Sequence, residues 1–423
     1  MRSAFALLAL ALVACTGCGI GVTGAPSGVT HEQATVEGSV ISDAGGEVEY
    51  WAKYGRTTAY GSETAHETVE GQKNTLTAVN ILLEGLERDT AYHYRLCAQD
   101  STQQGGPGCG EDRRVRTQSF ACGETVTEDV RLTGNLLCLN PAKPALAIGA
   151  NGLDINLAGF SMRSIVNTGG GIAAGIENLD GFDDVTIRNG EIGNFGDAIH
   201  LDGATRNKIL HMRAFGPSDG IDIRGGGANE VRDSVAFGRG AGLVAVNSDR
   251  LVFADSTANG AFGSAVIVNA DLSRILRNEV VGGAEPCCVN FGIAVTGNGN
   301  LIRENRVGGW NAGNIAVRSG SNNVLIENEA FDGVLSAHED QPDSRGDGIF
   351  VGAFTAGTVL RGNFAHDNAS DGIDVLGSAG FEDNTANDNG VWGIDAPAGA
   401  TDLGGNSASG NGNALQCRNV FCQ

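Results

Sequence analysis

The sequence predicts an all-β chain, most of it coiled into a parallel β-helix of about ten or more rungs, with a small β-sandwich ahead of it. Three observations carry that prediction. From Gly175 onward, apolar anchors recur at Ile176, Ile199, Ile221, Leu243, Val266, Ile293, Ile315, Ile349, Ile373 and Ile394, in steps of 23, 22, 22, 23, 27, 22, 34, 24 and 21 residues. A second column, Ile187, Ile209, Val231, Phe253 and Ile275, advances by 22 each time. A fixed period of this length signals a stacked architecture. No segment sustains a 3.6-residue period, and β-branched doublets, Gly and Asn dominate, which excludes helical repeats. The third observation is 65 glycines in 423 residues, about twice ordinary usage and without a Gly-X-Y period.

Composition narrows the function classes. The chain carries 28 Lys+Arg against 50 Asp+Glu, a net charge of −22, and only four of its basic residues are lysine. With no basic cluster, binding to nucleic-acid phosphates is excluded as a working hypothesis. The apolar content of 41% suffices for a sizeable core and argues against a disordered acidic tail.

The elements follow in chain order. Residues 1–24 read as a leader and short linker: Arg2 precedes an unbroken apolar run from Ala4 to Ala14, too short for a stable transmembrane helix. The run ends in Leu12-Val13-Ala14-Cys15, which resembles the lipobox of bacterial lipoproteins. That resemblance implies acylation of Cys15, export, and a membrane attachment through lipid alone. Residues 25–118 hold short alternating strands at Ala34–Val40, Val48–Tyr54, Leu76–Leu82 and Tyr92–Ala98, the pattern of a β-sandwich. The run Leu83-Glu-Gly-Leu86-Glu-Arg-Asp-Thr90-Ala-Tyr92 resembles the fibronectin type III pattern, with Arg88 in place of its usual proline and Tyr92 at its tyrosine corner.

Residues 119–423 hold the repeats. Each unit, as in Gly220–Gly238, contains short strands divided by turns, and one unit of about 22 residues makes one rung. Asn278, Asn305, Asn328, Asn363, Asn384 and Asn406 recur at one turn, where stacked amides can bond along the stack. Glycine would supply the positive φ that such turns need. Gly220-Ile-Asp-Ile223, Gly292-Ile-Ala-Val295 and Gly372-Ile-Asp-Val375 match a short G-I-x-V strand repeat. The opening segment Cys122–Cys138 with Leu153-Asp-Ile-Asn-Leu-Ala-Gly159 looks like the first rungs of exported relatives. On these motifs the chain resembles the right-handed parallel β-helix repeat family, the pectate lyase-like superfamily, from Phe120 to about Asn413. The resemblance implies fold, and carbohydrate chemistry as one of several activities that fold supports.

Export permits disulfides. Pairing near neighbours gives Cys97–Cys109, Cys122–Cys138 and Cys417–Cys422 as local staples, and Cys287-Cys288 as a vicinal pair. No histidine accompanies these cysteines, so a metal reading of them lacks its ligands.

Candidate chemistry concentrates on two adjacent rungs. Aligning Ile199 with Ile221 lays His200 over Asp222 and Asp202 over Arg224, all outward by strand alternation, with Asp197 over Asp219 at the preceding turn. Val244, Ile267 and Ala294 follow on the next rungs, so the ionisable patch is local. His200 would serve as base or acid oriented by Asp222, and Arg224 would neutralise a uronate carboxylate. Asp202 and Asp222, diagonal neighbours about 7–8 Å apart, would suit the carboxylate pair of a hydrolase. The blander reading treats Asp219, Asp347 and Asp371, each in Asp-Gly-Ile, as turn formers and Asp202–Arg224 as an exposed salt pair. Asp197 and Asp219 complete the candidate substrate contacts, with His338 and Arg345 from the long loop of the 34-residue step. No organic cofactor is called for, and Ca²⁺ between acidic rungs is the one ion the pattern could hold. These features predict an exported surface protein that binds a polysaccharide or cell-surface glycan and, as an enzyme, would process it as a lyase, hydrolase or epimerase. The rivals are a non-catalytic adhesive rod and a periplasmic helper of copper-site assembly. Three methionines and no His/Met/Cys cluster weigh against the last.

Overall fold

A computed structural model describes residues 20–43, 45–100, 106–140, 142–165, 173–282, 290–335 and 346–423. Cys15, Cys287, Cys288, His338 and Arg345 lie outside the described residues. The described chain is all β, with no helix, and divides into two compact units, one ending at Ser119 and one running from Phe120 to Gln423.

The first unit begins earlier than its sequence pattern suggests. Ile20–Ser27 is already a strand, pairing antiparallel with Ala34–Ile41, which in turn pairs with Leu76–Leu83. A linker reading of residues 20–24 overlooked their two-residue burial alternation. Opposite them, Gly46–Gly55 pairs with Glu67–Gly71 and Ala91–Asp100, and Arg113–Arg116 closes on Ala91–Asp100. Trp51, Tyr94, Leu96, Val36 and Ile81 are buried in the core. The Tyr92 hydroxyl accepts the Glu87 amide at 3.0 Å, fixing the turn before its own strand. Cys97 and Cys109 are disulfide-bonded across paired strands.

The second unit is a parallel β-solenoid of about twelve turns. Its first face is a 13-stranded parallel sheet, and its other two faces, joined in each rung, contribute 22 strands. The anchors stack in the register that their spacing implies: Ile176, Ile199, Ile221, Leu243, Val266, Ile293, Ile315, Ile349, Ile373 and Ile394 each pair with the next. All are fully buried, as is the second column from Ile187 to Ile275 on the adjoining face. Cys122–Cys138 and Cys417–Cys422 are both disulfide-bonded, near the two ends of this unit.

The asparagine column forms a continuous ladder. Asn278, Asn305, Asn328, Asn363 and Asn384 each donate a side-chain N–H to the side-chain oxygen of the next, ending on Asn406, at 2.9–3.0 Å. The same amide nitrogens donate to main-chain carbonyls such as Phe253, Ile275 and Ile302. Buried amides this completely satisfied cost little and fix the stacking order.

Glycine serves the fold in a way that the turn argument covers only in part. At one repeated turn the left-handed position is held by Asp233, Asp255, Arg277, Glu304 and Glu327, with φ between 48° and 56°. Gly216 and Gly238, by contrast, are needed for close approach: a Cβ there would lie 1.9 and 1.8 Å from the carbonyl oxygens of Asp219 and Ala241. Gly238→Ala is therefore expected to destabilise the β-helix by about 1–3 kcal/mol, through forced backbone displacement. Denaturant unfolding of that variant beside Arg277→Gly, which relieves positive φ but gives up the exposed paired bonds to Asp255, should show the larger loss for the first.

Candidate functional site

The outward column of the first face carries the ionisable patch. Its register runs Glu177, His200, Asp222, Val244, Ile267, Ala294, so polar chemistry occupies the first three of these rungs and apolar side chains follow. Glu177 belongs to this patch and was absent from the sequence reading, which extended the alignment forward from His200 but not back by one 23-residue step.

His200 is the hub. Its Nδ1 lies 3.2 Å from Asp222 Oδ2 and 3.4 Å from Asp197 Oδ2. These two hydrogen bonds raise the imidazole from 6.5 to about 9, so the ring is a cation at neutral pH. Arg224 Nε donates to Asp222 Oδ2 at 2.9 Å. Asp222 Oδ2 is thus shared between His200 and Arg224.

Two expectations are corrected here. Asp222 is 1% exposed rather than presented outward to solvent, because His200 and Arg224 close over it. Arg224 bonds Asp222, two residues back on its own strand, rather than Asp202 in the facing register position. Asp202 is exposed and forms no ion pair among the described residues. A hydrolase pair built from Asp202 and Asp222 therefore lacks one reachable member.

Asp197 and Asp219 each commit an oxygen to the next rung. Asp197 Oδ1 accepts the Asp219 amide at 3.0 Å, and Asp219 Oδ1 accepts the Ala241 amide at 2.7 Å. Asp347 and Asp371 repeat this device, accepting the amides of Asp371 at 3.0 Å and Trp392 at 2.7 Å. The turn-forming role is thus general, and what is particular to Asp197 is its second oxygen on His200. Burial pushes Asp197 up, but hydrogen bonds from His200, the Asp219 amide and Ser218 outweigh it and hold the carboxyl below its ordinary range. Burial, aided by the charges of Asp197 and Asp222 and opposed by the Ala241 amide, pushes Asp219 up to about 6. Burial also raises Glu177, against the pull of His200.

Because the folded-state value of Asp219 is raised from 3.8 to about 6, protonation favours the fold. Its contribution is full below pH 3.8 and is lost as pH rises through 6. Asp219→Asn should flatten the stability-versus-pH curve between those values, as read by urea unfolding across that window.

A second acidic group lies at the far end of the same face: ligand oxygens of Asp371, Asp374 and Asp395 fall within 4.8 Å of one another, and Arg418 grips Asp395 with two hydrogen bonds. Donor atoms of Asp197, His200 and Asp222 are also within 4.8 Å of one another. One imidazole and two carboxylates suit a hard or borderline divalent ion. Cu(I) would need sulfur, and Met162 and Met212 are buried in the solenoid core.

Two family models match parts of the chain. Residues 161–345 match the family described as periplasmic copper-binding protein (NosD), and residues 287–419 match the right handed beta helix region. Both matches fall within the parallel β-solenoid unit, Phe120–Gln423. No curated protein sequence matches it. Among solved structures, it is similar to the periplasmic alginate epimerase AlgG, at 14% identity over 70% of this chain and 82% of that one, with a TM-score of 0.45. It is also similar to the Azotobacter vinelandii mannuronan C-5 epimerase AlgE6 A-module, at 13% identity over 71% and 91%, with a TM-score of 0.40. The catalytic domain of a GH87 α-1,3-glucanase aligns at 10% identity over 97% and 96%, with a TM-score of 0.36.

Proposed function

We propose that this is an exported protein, anchored through Cys15, that binds an acidic polysaccharide at the His200 patch and moves a proton at the carbon beside the sugar carboxylate. The observation that carries this reading is the arrangement of Arg224 and His200 around buried Asp222: two basic side chains, one exposed and one partly exposed, that share one carboxylate, with Asp197 on His200 as well. Arg224 takes the uronate carboxylate in charge-assisted hydrogen bonds, which acidifies the adjacent C–H. Glu177, one rung from His200 and raised by burial, accepts that proton. His200, charged at neutral pH and held in orientation by Asp197 and Asp222, serves as the acid. In a lyase the C–O bond at the neighbouring carbon breaks as the C=C bond forms, and His200 protonates the departing glycosidic oxygen; in an epimerase a proton returns to the same carbon from its other face. This division suits a lyase or epimerase. Three disulfides and a family match to periplasmic proteins support export. The N-terminal unit reads as a fibronectin type III-like spacer, on its sequence pattern and the Tyr92–Glu87 bond.

The test is a product screen of the wild-type protein and His200→Gln against uronic-acid polymers and neutral glycans. New unsaturated ends or altered uronate stereochemistry from the wild type alone supports the reading; silence across the panel contradicts it and favours the adhesive rod. A second reading, a divalent-cation site at Asp197, His200 and Asp222, rests on their clustered donor atoms. Calorimetric titration with Ca²⁺, Zn²⁺ and Cu²⁺, with proton release from His200 on binding, would favour that reading instead.

A further inference from the structure

The turns that follow the third face form an open groove of 480 Å³, lined by Phe215, Pro217, Phe237, Arg239, Ala261 and Phe262 together with Asn194 and Gly216. Phe215 and Phe237 are register partners on successive rungs, with ring centroids 6.4 Å apart. Phe237 is 37% exposed and Phe262 43% exposed, a cost in water that a folded chain does not need to bear. The Arg239 guanidinium lies 4.8 Å from the Phe262 ring centroid, and Arg213 lies 5.2 Å from Phe215. On a chain of net charge −22, no Asp or Glu among the described residues lines this groove, and Arg239 is the one charged lining residue among them.

A hydrogen-bond relay links the turns of the groove to the His200 patch. Ala241, two residues after Arg239, donates to Asp219 at 2.7 Å; Asp219 donates to Asp197 at 3.0 Å; and Asp197 bonds His200. Pro217 and Arg239 of the groove thus stand two residues along the chain from Asp219 and Ala241, members of the hydrogen-bond relay that ends on His200.

We infer that this groove is a binding subsite for an acidic oligosaccharide, resting on the uronate reading of the His200 patch and extending it along the chain of the same polymer. Sugar rings present a face of polarised C–H groups, which meets the electron-rich face of Phe215, Phe237 or Phe262. Arg239 takes a carboxylate of a neighbouring sugar unit by planar, paired hydrogen bonds. Stacking would grip any sugar, whereas the arginine selects a charged one. The occupant is thus a glycan that is both flat-faced and anionic.

The experiment measures binding, so that it stands apart from turnover. Calorimetric titrations use a defined 1,4-linked oligouronate and its carboxyl-reduced counterpart, against the His200→Gln protein and the same protein carrying Phe237→Ala or Arg239→Gln. Both positions are exposed, and circular dichroism with a thermal melt checks that each variant folds. Phe237→Ala is expected to weaken both ligands about tenfold, and Arg239→Gln to weaken the oligouronate about tenfold while leaving the reduced ligand unchanged. Unchanged affinity in both variants, or no oligouronate binding by the parent, overturns the inference. Binding through the groove by a protein that yields no product in the polymer screen would leave the inference standing and overturn the enzymatic reading.

Discussion

Arg224→Gln will lower kcat/KM on an acidic polymer by about 10²–10³-fold, the scale on which loss of one preorganised charge-stabilising group acts. The side chain is 57% exposed and its one ion-pair partner is Asp222, so the fold should survive the change. Arg224→Lys should restore only part of the loss, because an ammonium cannot present the planar fork that grips a carboxylate. The discriminating comparison is a carboxyl-reduced polymer, on which wild type and variant should be equally poor. Steady-state kinetics on both polymers check this, and equal activity of Arg224→Gln on the acidic polymer would remove Arg224 from the site.

Asp222→Asn will have the larger effect on the protein itself. It removes one of the two anions that hold His200 at about 9, so the imidazole should fall toward 6.5. It also removes the anion that His200 and Arg224 share; with Arg224 57% exposed and able to turn to solvent, the loss costs about 1–3 kcal/mol. Asp222 Oδ1 is buried with no hydrogen-bond partner among the described residues, which offsets part of that cost when the charge is removed. The sign for His200 follows from its raised value: its stabilising contribution is full below pH 6.5 and disappears as pH rises through about 9. In Asp222→Asn that alkaline loss should shift to lower pH. Proton NMR of the His200 ring, followed from pH 5 to 10, reads the shift directly; an unmoved midpoint would mean that Asp197 alone sets the charge.

Much of the fold was legible because one residue per rung repeats without exception. Ile199 over Ile221 and Ile187 over Ile209 are consequences of period alone, and register then follows from pairing each strand with its copy. The asparagine ladder was legible for the same reason. What period cannot supply is the reach of a side chain. Arg224 and Asp222 share a face because they are two apart on one strand, and that local pairing wins over the cross-rung partner Asp202. Asp222 is buried because its neighbours are long enough to close over it, a fact of side-chain geometry. Glu177 was readable, since it lies at the same anchor offset one rung earlier. The groove is not legible from tryptophan positions, the usual sign of a sugar platform. Trp310 is fully buried, and the groove's rings are phenylalanines 22 and 25 residues apart, Phe215 half-buried and Phe237 and Phe262 exposed.

The acidity of the chain also resolves into distinct uses. Asp197, Asp219, Asp347 and Asp371 each spend an oxygen on the main chain of the next rung. Asp183, Asp249 and Asp271 do the same at another turn. Such carboxylates carry the fold and need no ligand to explain them. His200 has no counterpart elsewhere on its column, and it is the group on which the functional reading turns.

The central claim is proton transfer at the sugar carbon beside the carboxylate, with Glu177 and His200 as the groups that exchange it. The most direct measurement is solvent deuterium incorporation into a uronic-acid polymer incubated in D₂O, read by NMR at that carbon or as the loss of its proton on elimination. The wild-type protein should exchange or eliminate that proton, and Glu177→Gln and His200→Gln should each abolish the signal while retaining the wild-type circular dichroism spectrum. A wild-type protein that leaves the proton in place on every uronate polymer, or a His200→Gln protein that exchanges it at the wild-type rate, would contradict the account.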